Sequence, residues 1–129
     1  MAKSFIQQKF TSDCAVACLA MFLDVAYEDV ARHCSGAELV WAGLAPSREA
    51  YICGLFDVEV VRRDRTLVDW AGPAILTVPS LNSPKGSTHA VYWDGRRVWD
   101  PNHGRPGRKA YTNQAAQEVA ITALQRAED

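Results

Sequence analysis

Apolar and polar positions change their rhythm near residue 58. Between Asp13 and Leu23, the residues Val16, Leu19, Ala20 and Leu23 recur at helical spacing behind Ser12 and Asp13 as capping candidates, which predicts a helix. Residues 27–34 (YEDVARHC) predict a short second helix closed by Gly36, and residues 47–55 a third, with Pro46 just before it and Gly54 near its end. From Val58 onward the period is two. VEVV predicts a short strand, a charged break and a helical turn at 67–70 follow, and AILTV at 74–78 reads as a buried strand between two prolines. In HAVYWDGRRVWD two alternating runs flank Asp94-Gly95, a strong hairpin signal because a type I′ turn needs positive φ at both central residues. Tyr111 is placed to continue the sheet, and 113–127 predict a last helix with Ala116, Val119, Ala120, Ala123 and Leu124 on one face. Helices first and strands after give an α+β fold, with N-terminal helices packed on a C-terminal antiparallel sheet and an extra C-terminal helix.

No repeat or long linker interrupts the pattern, and 129 residues with 48% apolar content fit a single domain over 1–129. Fourteen basic against fifteen acidic residues leave a net charge of -1, so no overall field recruits nucleic acid or an anionic membrane. Arginines do gather at Arg62, Arg63 and Arg65 and again from Arg96 to Lys109; these read mainly as solvated strand ends and loops, with a phosphate or polyanion site as the alternative. MAKSFIQQKF carries no signal-peptide pattern and no apolar run is long enough to span a bilayer, which points to the cytoplasm. Cysteines at 14, 18, 34 and 53 form no CxxC pair, so a disulfide framework is not expected. A zinc set drawn from Cys14, Cys18, His33 and Cys34 matches no usual ligand spacing, and no phosphate loop or cofactor fingerprint is present.

The candidate chemistry comes from residues far apart in the chain. With Asp94-Gly95 as a two-residue hairpin loop, His89 and Asp100 become cross-strand partners with Cα atoms roughly 4.5–5.5 Å apart. A carboxylate at that distance fixes the imidazole tautomer and leaves the other ring nitrogen free as a base. Cys14 falls in the first turn of the first helix, where the macrodipole and free N–H groups favour an anion. A neighbouring imidazolium would complete a thiolate–imidazolium pair. Gln8 could fold over the helix start and, with the Cys14 backbone N–H, donate to an oxyanion.

Each of these residues also has a plainer reading. A cysteine on an apolar helix is more often a buried small hydrophobe, the reading kept for Cys18, Cys34 and Cys53, and a His opposite an Asp on a hairpin is more often a surface pair. Their coincidence in suitable local structure favours catalysis. His33 and His103 lack comparable context, and Trp93 and Trp99 read as strand packing or the lining of a substrate groove.

QKFTSDCAVACLAM at 8–21 resembles the Gln-x5-Cys signature of the bacteriocin-processing, double-glycine-leader peptidases, a family of papain-like cysteine peptidases. GPAILTV, THAVYWDG and RRVWDPNHG reproduce that family's later order of a His and then an Asp-Pro, and GLFDVEVVR resembles the segment between, over roughly residues 7–104. The resemblance implies a papain-like fold and a peptide or protein substrate. It also implies Gln8 as oxyanion donor, Cys14 as nucleophile, His89 as general base and Asp100 as orienting acid, with no cofactor. Ala15 stands where the family usually has glycine, and no transporter accompanies the motifs. Two alternatives remain open on these residues: an NlpC-type cell-wall peptidase, and a papain-like binding or structural module in a larger assembly whose catalytic residues are idle. Deamidation or acyl transfer would use the same acyl-enzyme.

Overall fold

The first predicted helix forms as α1, Cys14–Leu23, in a computed structural model that describes residues 5–83 and 86–127. Residues 1–4, part of the stretch read for a signal peptide, lie outside the described residues. Ala15 through Phe22 are all buried, so α1 is enclosed on every side instead of resting on a core by one stripe. Its surroundings explain this: α2 (Tyr27–Ala31), α3 (Pro46–Leu55) and the sheet all pack against it. The capping expectation holds in position only. Asp13 occupies the N-cap without a side-chain cap bond, and its carboxylate turns back to accept from the Lys9 and Phe10 N–H groups at 2.8 and 2.9 Å. Between α2 and α3 a π-helical turn, Glu38–Ala42, forms where the sequence signalled nothing.

Five strands make one sheet: β1 (Val60–Asp64), β2 (Ala74–Pro79), β3 (Thr88–Trp93), β4 (Val98–Trp99) and β5 (Thr122–Arg126), in spatial order β1-β5-β2-β3-β4. All pairings are antiparallel. The alternation along β2, β3 and β5 divides the core in two, as period-two side chains require. Ile75, Ala90, Tyr92 and Leu124 join α1 in one cluster, while Leu76, Val78, Val91, Trp93 and Ala123 join Ala116 of α4 (Asn113–Val119) in the other. Among the described residues no helix is long and apolar enough to cross a membrane.

Three sequence expectations are corrected. The last helix does not run through 113–127; it ends at Val119, and residues 122–126 become β5, hydrogen-bonded between β1 and β2. An Ala-rich apolar run satisfies helical and strand periodicity about equally, and here two open strand edges decide it. Tyr111 does not extend the sheet, because its N–H is held by Asp100 Oδ2 at 2.8 Å. The hairpin loop is also longer than expected: Trp93 pairs with Val98 and Tyr92 with Trp99, which leaves residues 94–97 as a four-residue connection. Asp94 explains the difference. Its Oδ1 accepts from the Arg96 and Arg97 N–H groups, both at 2.8 Å, and its Oδ2 from Trp99 Nε1 at 2.8 Å, closing a wider turn around one carboxylate.

Candidate active site

Continued past Trp99, the observed register would set His89 opposite Asn102 and not Asp100. A shift of two residues preserves the face on which a side chain lies, so Asp100 stays on the His89 side as a diagonal neighbour. The pair then forms where the chain leaves β4: His89 Nε2 and Asp100 Oδ1 are 2.7 Å apart, both residues buried. Asp100 is itself held from two further sides, by the Asn102 N–H on Oδ1 and the Tyr111 N–H on Oδ2, each at 2.8 Å. Burial pushes its carboxyl up, but the His89 bond and these two N–H groups outweigh it and keep the pKa below the usual carboxylate value.

With Nε2 facing a carboxylate, Nδ1 is the ring nitrogen left to Cys14. Burial works against protonation of His89. The hydrogen bond to Asp100, together with the proximity of Cys14, outweighs it and raises the pKa to about 9, which favours the protonated ring. Cys14 opens α1 and is half-buried, and the first intrahelical donor after it is Ala17, bonded to Asp13 O at 3.1 Å. The N–H groups of the first turn therefore precede the helix ladder, as the geometry of any helix start dictates.

Cys14 and His89 open onto the same groove, of about 460 Å³, whose walls include Ser12, Trp41, Asn82 and Asn102. Trp41 is 74% exposed and belongs to the π-helical turn, whose Trp41 carbonyl accepts from Ser12 Oγ at 3.1 Å. A larger recess of about 720 Å³ lies elsewhere, lined by Asp57, Arg63, Asp69 and Gln125. Its polar groups bond mainly to each other, Gln125 Oε1 accepting from Asp69 N and Arg63 Nη1, and it holds no nucleophile. The smaller groove is the one with reactive chemistry.

Gln8 is buried beside the helix start, with its N–H bonded to Pro101 O at 3.1 Å, which ties the N-terminal segment to the Asp100 loop. Its side-chain Nε2 points to the carbonyls of Phe10 at 2.8 Å and Thr11 at 3.2 Å and to Asp13 Oδ1 at 3.5 Å, while Oε1 has no hydrogen-bond partner among the described residues. Sequence reading gave no role to Asp13 beyond a cap. It is wholly buried, and besides Lys9 and Phe10 it takes the Tyr27 hydroxyl at 2.7 Å, so it sets the path of residues 8–12 into Cys14. Nothing local in the sequence marks that role, because Tyr27 comes from another helix. His33 and His103 remain away from the groove, edge-on to Phe56 and Phe5. Trp93 packs in the core with its Nε1 on Trp70 O at 2.9 Å. All four cysteines are free thiols, and no group of metal-binding side chains gathers among the described residues.

No protein-family profile matches the sequence, and no curated protein does. The fold has a solved counterpart in a double glycine motif protease from an AMS/PCAT transporter, a structure determined in complex with the leader peptide. The TM-score is 0.69 over 97% of this chain and 91% of that one, at 18% identity. The chain therefore shares the α+β fold of that protease.

Proposed function

We propose that the chain is a papain-like cysteine peptidase acting on peptide or protein substrates, with Cys14 as nucleophile, His89 as general base and acid, and Asp100 as the residue that orients the imidazole. The observation that carries this reading is the buried 2.7 Å bond from His89 Nε2 to Asp100, with Cys14 sharing the groove on which the ring opens. The protease neighbour of similar fold agrees with it. In the proposed reaction the Cys14 sulfur attacks the scissile carbonyl, and the imidazolium gives its proton to the departing amine. Water, deprotonated by the neutral ring, then attacks the acyl-enzyme, releases the acid product and restores the thiolate–imidazolium pair. The Cys14 backbone N–H is the first donor to the oxyanion. Gln8 becomes the second by exchanging one of its longer contacts, to Thr11 O at 3.2 Å or Asp13 Oδ1 at 3.5 Å, for the developing charge.

Iodoacetamide labelling followed by mass spectrometry tests the nucleophile. Cys34 is the internal comparator, half-buried and with its thiol pushed up by burial and by Glu38. Cys14 is expected to label about tenfold faster or more at neutral pH. Peptides should also be cleaved from a mixed pool by the native protein and not by Cys14→Ala. Labelling no faster than at Cys34, with an undigested pool, would leave only an idle module of the same fold.

A further inference from the structure

We propose that the groove at Cys14 selects peptides carrying acidic side chains, with Arg105 and Arg108 as the recognising groups; this rests on the peptidase reading of the same groove. Among the described residues, three guanidinium groups line the groove, Arg62, Arg105 and Arg108, against one carboxylate, Glu49. Arg62 is already committed: its Nη2 meets Glu49 Oε1 at 2.5 Å and its Nη1 donates to Thr122 Oγ1 at 3.2 Å. The remaining two have no carboxylate partner among the described residues.

Arg105 and Arg108 are nonetheless positioned. Arg105 Nη1 donates to Asn102 Oδ1 at 2.8 Å, and Asn102 in turn donates its N–H to Asp100, so the guanidinium is held at a fixed remove from the His89–Asp100 pair. A turn closed by the Arg108 N–H on Arg105 O, at 3.2 Å, puts both side chains on one rim, where each is half-buried. A planar guanidinium in a concave, partly desolvated wall suits a carboxylate, which it can engage through two parallel N–H donors. The net charge of the whole chain is -1, so no overall positive field accounts for this local excess. A nucleic acid needs a broader basic surface than two side chains supply. One or two Asp or Glu residues flanking a scissile bond fit the available donors.

A random octapeptide library retained on immobilised Cys14→Ala protein provides the test. Retained peptides are expected to be enriched in Asp and Glu by about tenfold over the input at low salt, the equivalent of about 1.4 kcal/mol. Enrichment should collapse in the Arg105→Gln/Arg108→Gln protein, whose cooperative unfolding, followed in parallel, should match the parent. Retention without acidic bias, or a bias that survives the double substitution, overturns the proposal. So does tighter retention of a short oligonucleotide than of the acidic peptides. The iodoacetamide rate separates the two readings: fast labelling of Cys14 without acidic bias sinks this proposal alone, and acidic bias with an unreactive Cys14 sinks the peptidase reading alone.

Discussion

His89 couples the site to the stability of the protein. Its folded pKa of about 9 lies above the ordinary 6.5, so the protonated ring binds its proton more tightly in the native state. The stabilisation, on the order of 3 kcal/mol, is fully present below about pH 6.5 and disappears as pH rises through 9. Asp100 acts in the opposite direction, since its carboxyl is held below the ordinary 3.8: its contribution is present above that value and is lost in stronger acid. Denaturant titrations across pH should show a plateau from about 4 to 6.5 and a decline toward 9, and Asp100→Asn should flatten the alkaline decline. Gln8→Ala gives a separate prediction at this scale. If the amide joins the oxyanion site, kcat falls by about 10²–10³ while the fold persists; a loss below tenfold would restrict Gln8 to shaping the 8–12 turn through Phe10 and Thr11. The reactive residue types were legible because each has a local signal, a helix start for Cys14 and strand alternation for His89. Asp13 and Gln8 were not fully legible, because their partners, Tyr27 and the Pro101 carbonyl, arrive only on folding.

At the scale of the element, the β3–β4 connection fixes how His89 and Asp100 meet. Gly95 adopts φ +99°, and an added Cβ would stand 2.8 Å from the Ala71 carbonyl oxygen, a backbone atom with little room to move. Gly95→Ala is therefore expected to destabilise the protein by about 1–3 kcal/mol, read as a lower urea midpoint at unchanged slope. A midpoint equal to the parent would mean that the loop yields without cost. The sequence carried the turn's position but not its length. A DG pair favours a two-residue turn, and that preference lost to three hydrogen bonds on the Asp94 carboxylate, one of them from the indole of Trp99. Period-two geometry kept the consequence small, since a slip of two left Asp100 on the face of its partner.

For the whole molecule, β5 is the element on which continuity of the sheet depends. It pairs with β1 from Val60 to Asp64 and with β2 at Ile75 to Thr77, and it places Ala123 and Leu124 into separate clusters of the core. Removing residues after Ala120 should therefore abolish cooperative unfolding, monitored by circular dichroism, although every proposed catalytic residue would remain in the chain. A truncated protein that still melts cooperatively would show that the helical layer and β2–β4 suffice. The sequence by itself determined the helix that begins at Cys14, the antiparallel hairpin with its aromatic strands, and the face that His89 and Asp100 share, because these follow from spacings within a few turns or one hairpin. Tertiary structure alone decided the register of that hairpin, the enclosure of α1 on all sides, the strand in place of the last helix, and the meeting of Arg62, Arg105 and Arg108 in one groove. Each of those depends on partners distant in the chain, whose free energies of pairing and burial exceed the small local preferences a sequence displays.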